Sequence, residues 1–313
     1  MRWMMAAIAV VVLAAGLWFW VSGGDRVVTA WALDGQRDAQ DAMAGALRRL
    51  RAGEPAAVFG LMAICFGYGF FHAAGPGHGK LLIGGYGAAR AVGAWRLSAV
   101  ALASSLAQAM TAIVMVGLGL WLLGWGREQM TDMADRLFAP LSFAAIALVG
   151  LWLAFRGARG VWRLRPSGGT GHGHSHRDGH SHDHDHTGEA AVCSTCGHAH
   201  GPDPAALARA GSPREVLALI AAVAIRPCTG ALFLLILTAQ LGVFWAGVAG
   251  TFAMAIGTAS VTVAVAVAAV GLRRSVLAGL AESTTLARVQ PVIELVVGLI
   301  VALLAVELAL AAL

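Results

Sequence analysis

The chain has 313 residues, of which 58% are hydrophobic and only 12% are charged. Soluble domains carry about 25% charged residues, so this composition, with a mean hydropathy of +0.72, excludes an ordinary water-soluble globule. The formal net charge of +5 does not point to nucleic acid, because the Lys and Arg sit mainly between apolar runs, where they set membrane topology.

A membrane-crossing helix needs about 20 mostly apolar residues. Seven runs qualify: 3–21, 56–74, 97–124, 138–156, 215–238, 243–270 and 291–312. The first follows Arg2 and ends in the interfacial cluster Trp18-Phe19-Trp20. Its core is longer than a signal-peptide h-region and lacks a clean small-x-small cleavage site, so an uncleaved signal anchor over 1–21 is favoured over the alternative, a signal peptide. Segment 22–55 mixes five Arg with Asp25, Asp34, Asp38, Asp41 and Glu54, the composition of an amphipathic periplasmic helix. With the N-terminus in the cytoplasm, cytoplasmic segments hold 14 Lys and Arg, including Lys80, Arg90 and Arg96, against 7 on the other side. That bias favours a cytoplasmic N-terminus and a cytoplasmic 157–214 loop in a bacterial inner membrane.

The hydrophilic 157–214 segment divides the last six spans into halves, 56–156 and 215–313, of three spans each. Halves with an odd number of spans lie in opposite orientations if they are repeats. The expected architecture is therefore an all-α polytopic membrane protein: an N-terminal anchor followed by a six-span core arranged as a 3+3 inverted repeat. The first span of each half is interrupted, by His72-Ala73-Ala74-Gly75-Pro76-Gly77-His78-Gly79-Lys80 and by Arg226-Pro227-Cys228-Thr229-Gly230. Breaks at corresponding places in two halves mark transporter binding sites.

The residue types at the breaks suit a metal cation. Pro76 and Pro227 remove a backbone donor and clash with the preceding turn, and Gly75 and Gly77 let the chain leave helical geometry. On an unbroken helix His72 and His78 would point roughly 120° apart, whereas a break between them could bring both rings to one ion. Neutral imidazole suits nickel, cobalt, copper and zinc, and the Cys228 thiolate adds a soft ligand. Packed histidines beside a kink are the alternative reading, but ionisable groups inside a membrane mark functional sites by default. Arg226 at this depth calls for a cavity or an acid such as Glu294. Ser104, Gln108 and Thr111 share one helix face, where Gln108 could line the path, while the stripe Thr251, Met254, Gly257 and Thr258 reads as helix packing.

Nine of the 11 histidines lie in the loop: His172, His174, His176, His180, His182, His184, His186, His198 and His200, with Cys193 and Cys196 beside them. Such tracts bind metal without a fixed structure, so these eleven residues are auxiliary loop ligands. No nucleophile elbow, P-loop or HExxH pattern occurs, and no enzyme activity is expected.

His72 to Lys80 resembles the His-x-x-Gly-Pro-Gly-His-Gly-Lys signature of the nickel/cobalt exporter (NicO) family. Arg226 to Gly230 is similar to that family's Arg-Pro-Cys-Pro-Gly motif, with Thr229 in place of the usual Pro, and Phe252 to Ala259 resembles its third stretch. The resemblance covers roughly 56–313. It implies efflux of Ni²⁺ or Co²⁺, with Zn²⁺ a further cargo, no permanent cofactor, and His72 and His78 on the path. Partners are then the divalent ions and the lipid bilayer. Gln108 departs from relatives that carry His in that span, which leaves the preferred metal open. An uptake permease on the same fold, a metal sensor, or a thiol–disulfide electron carrier using Cys65 and Cys228 are the other readings.

Overall fold

In the computed structural model the described residues are 18, 21–75, 78–164, 213–279 and 283–311, without the side chains of His78, 276–279, 283–288 and 311. Nearly all of the expected anchor, together with Pro76, Gly77, the His78 ring and all eleven loop ligands, lies outside them. Every regular element among the described residues is helical, as a bilayer demands of any chain that does not close a barrel.

Helix α1, Gly24–Arg51, is the amphipathic helix expected of 22–55, with Ala32, Gly35, Met43, Ala46 and Leu47 buried and its flank against the next helix. It stops where Gly53 adopts φ 87°. The Gly53 N–H donates to the Leu50 carbonyl and the Glu54 N–H to the Arg49 carbonyl, which closes a Schellman motif. Helix α2, Ala57–Ala74, ends at Gly75 in extended backbone (φ −64°, ψ 175°).

Helix α3, His78–Ala89, follows the break. The sequence expectation put this stretch in the connection between two spans, and the structure makes of it a packed helix. Leu82, Ile83, Tyr86 and Ala89 are all buried, and α3 packs into the bundle. Gly79, Gly84, Gly85 and Gly87 dilute its hydropathy while letting neighbours come close. A Cβ on Gly85 would stand 2.8 Å from Val301, and one on Gly87 2.6 Å from Leu97.

Helix α4 is Ala94–Trp121. Helix α5, Arg127–Met133, runs through a π-helical turn, Ala134–Phe138, into α6, Ala139–Arg163. In the second half α7, Pro213–Ala224, and α8, Thr229–Gln240, are bent by 61° at their break. Gly242, at φ 74°, ends α8 with a second Schellman pair: the Gly242 N–H donates to Ala239 and the Val243 N–H to Thr238. Helices α9, Phe244–Gly279, and α10, Ser283–Ala311, complete the chain. Among the described residues five helical stretches are long and apolar enough to cross a membrane, and the bent α7–α8 pair makes a sixth.

Packing joins the halves. Helix α9 lies against both α2 and α3, and α4 lies against both α7 and α8; α4 and α9 also pack together, as do α6 and α10. The α2–α9 contact is backbone to backbone, because added Cβ atoms on Gly69 and Gly257 would strike the Met254 and Phe66 carbonyl oxygens. The outer surface is the reverse of a soluble protein's. Leu148, Phe155, Leu217, Leu303 and Leu310 are about two-thirds exposed, an apolar surface that suits lipid and would be an aggregation liability in water.

Candidate functional site

The two breaks face one cavity of about 220 Å³. From α2 come His72 and Ala73, and from α3 Gly79, Lys80 and Ile83. Helix α4 supplies Ala101, Ser104, Ser105 and Gln108; the second break supplies Arg226, Pro227, Cys228 and Thr229; α9 adds Thr258 and Thr262. His72 from the first break and Cys228 from the second thus line the same space, although about 150 positions separate them in the chain.

His72 occupies the last turn of α2. Its ring stacks on Tyr68, with centroids 6.1 Å apart and planes 8° from parallel. Its Nδ1 lies 3.2 Å from Gln36 Oε1 on α1. With Nδ1 donating to that oxygen, Nε2 keeps the lone pair that a metal requires. Cys228, half-buried, is the N-cap of α8, and its thiol lies within electrostatic range of the His72 ring. Cys65 packs in the apolar core with Leu61, Tyr68 and Leu234 and is not among the residues lining the cavity. Among the described residues no three His, Cys, Asp or Glu side chains gather as a ligand set.

The interrupted backbones are held by side chains that reach across the cavity. Lys80 Nζ donates to the carbonyls of Ala74 (3.1 Å) and Gly75, two acceptors at the α2 C-terminus left without intrahelical partners. Gln108 Nε2 donates to the Arg226 carbonyl at 2.8 Å, so its amide secures the second break. Thr258 Oγ1 donates to the Gly69 carbonyl at 3.2 Å, tying α9 to α2. Thr111 points elsewhere and bonds within its own helix, to Ala107.

Residues 58–313 match the family described as high-affinity nickel-transport protein, NicO. This chain belongs to the NicO family. A relative from Haemophilus influenzae, named "Putative nickel/cobalt efflux system", is 28% identical over 200 residues, which cover 63% of this chain and 61% of that protein. The chain thus spans less than two thirds of that relative's length. No solved structure matches.

Of the two settings expected for Arg226 in this NicO chain, a cavity or an acid such as Glu294, it has the first: it lines the cavity, with its guanidinium over the Phe143 ring, 5.3 Å from the centroid. Glu294 is held by Arg90 at 3.6 Å and Arg156 at 3.3 Å. Arg90 also reaches Glu215 at 3.4 Å, which accepts from Tyr86 Oη at 2.7 Å. Gln290 Nε2 donates to the Ala89 carbonyl at 2.7 Å, and Arg273 donates to Gln290 Oε1 at 2.6 Å. This buried network fastens the end of α3 to α6, α7, α9 and α10. Arg90 is thus buried and Lys80 half-buried, each held by partners inside the bundle. Sequence reasoning had also passed over Gln36, Ser105 and Thr262. For Ser105 and Thr262 a polar residue on an apolar helix was the available signal; for Gln36, 36 positions before its partner, there was none.

Proposed function

We propose that this chain moves Ni²⁺ or Co²⁺ across a bacterial inner membrane, outward from the cytoplasm. One observation carries the reading: a borderline imidazole from one broken helix and a soft thiol from the other, His72 and Cys228, face the same cavity. That donor set suits late first-row cations. His78, at the first turn of α3, and Gln108, which holds the second break, belong to the same path in this proposal. The cation exchanges part of its hydration shell for these groups, and relative motion of two inversely oriented halves passes it to the other side. Ligands bind metal only when deprotonated, so a proton gradient is the natural drive. The loop from His172 to His200 gathers the ion on the cytoplasmic side. The name of the Haemophilus influenzae relative favours efflux over uptake.

The test is metal content by mass spectrometry in cells lacking the protein, cells expressing it, and cells expressing His72→Ala or Cys228→Ala at matched levels. Lower nickel or cobalt with the wild-type chain, and not with the variants, is the expected result. Higher metal with the wild-type chain reverses the direction, and efficient export by both variants removes the site assignment.

A further inference from the structure

The cavity has a charge pattern that a bare dication does not explain. Its lining holds two cationic side chains, Lys80 and Arg226, and no Asp or Glu among the described residues, so that the Cys228 thiol is its one group able to carry a negative charge. Both cations lie within electrostatic range of the His72 ring. The N-terminus of α8 opens on the same space through Cys228 and Thr229, and a half-helix N-terminus presents its positive dipole end. A divalent ion entering alone would meet repulsion from each of these in a medium of low dielectric.

A second, independent feature concerns the hydroxyls. Ser105 donates to the Ala101 carbonyl, Thr258 to Gly69 and Thr262 to Thr258. Ser104, only 1% exposed, lines the cavity with an Oγ that has no hydrogen-bond partner. A buried hydroxyl left unpaired is costly, and such groups call for a bound partner. In this positive field the partner that lowers the energy most is an acceptor with negative charge.

We propose that this cavity is an anion site, which takes one small monovalent anion of halide or carboxylate type between Arg226 and Ser104 beside the α8 N-terminus. The anion offsets the cavity's charge and enters with the metal, so the transported unit is the cation with its counter-ion. The co-entry clause rests on the transport function proposed above; the anion site does not. Lys80 contributes field rather than contact, because its ammonium is engaged by the Ala74 and Gly75 carbonyls.

The experiment uses the full-length chain in two settings. In detergent, thermal stability is followed against increasing chloride or acetate, with lactobionate, an anion too large for the cavity, as the control at equal ionic strength. Binding to the folded state alone raises the midpoint with ligand concentration. Wild type should be stabilised by chloride and acetate and not by lactobionate, with Arg226→Gln and Ser104→Ala needing at least about tenfold more anion for the same shift. In proteoliposomes, Ni²⁺ flux should be faster with chloride than with lactobionate, and labelled chloride should move with the metal. Equal stabilisation of wild type and both variants, or none in any, overturns the anion site even where Ni²⁺ flux is robust. Selective stabilisation without metal flux keeps the site and overturns the transport reading. Ni²⁺ flux indifferent to the anion, with stabilisation intact, overturns co-entry.

Discussion

Replacing Gly257 with Ala tests whether the backbone contact between α2 and α9 positions His72. A Cβ at this position would run into the Phe66 carbonyl oxygen and stand 2.9 Å from the Phe70 nitrogen and 3.0 Å from the Phe66 carbonyl carbon. Packed heavy atoms sit about 3.5–4.0 Å apart, so the helices must separate by at least roughly 0.5 Å. The neighbouring Thr258–Gly69 hydrogen bond, already 3.2 Å long, would then be lost. Overpacking costs about 1–3 kcal/mol and a lost hydrogen bond about 1 kcal/mol, so a destabilisation of about 2–4 kcal/mol is expected. Gly271→Ala is the control: it lies in the same helix with nothing within 4 Å of an added Cβ, and should be neutral or stabilise slightly. The assay is thermal unfolding in detergent beside metal efflux from cells. If Gly257→Ala matches Gly271→Ala in both, the close helix contact is not what holds the first break in place.

Glu294→Ala should cost about 3–5 kcal/mol, because it leaves the buried Arg90 without one of its two carboxylates; a fall in unfolding midpoint much larger than for Asp34→Ala, at an exposed pair, checks it. Lys80→Met removes the donor from the Ala74 and Gly75 carbonyls and should abolish efflux measured by mass spectrometry, whereas a variant with undiminished efflux would deny Lys80 a part in shaping the break. Deleting 172–200 should raise the metal concentration at half-maximal flux and leave the maximal rate nearly unchanged, as for a collector outside the path; a lost maximal rate would place the loop in the transport step itself.

Membrane class, the spans between 56 and 313 and the two breaks were legible from the chain alone, because they depend on local quantities: apolar run length, and Pro and Gly within a run. His72, Cys228 and Gln108 were legible as well, since a polar or ligating side chain inside an apolar helix stands out in one dimension. The burial of α3 was not legible. Its four glycines lower the average hydropathy, and only the facing Val301 and Leu97 show that they serve close packing. The partners of the charges were equally hidden. Glu294 could have met any buried arginine, and the choice of Arg90 and Arg156 over Arg226 follows from which helix ends come together. The same holds for Gln36 against His72 and Lys80 against the end of α2. Secondary structure is written in neighbours within about one helical turn, whereas a site at the junction of two broken helices is written in distances that exist only after the halves have packed.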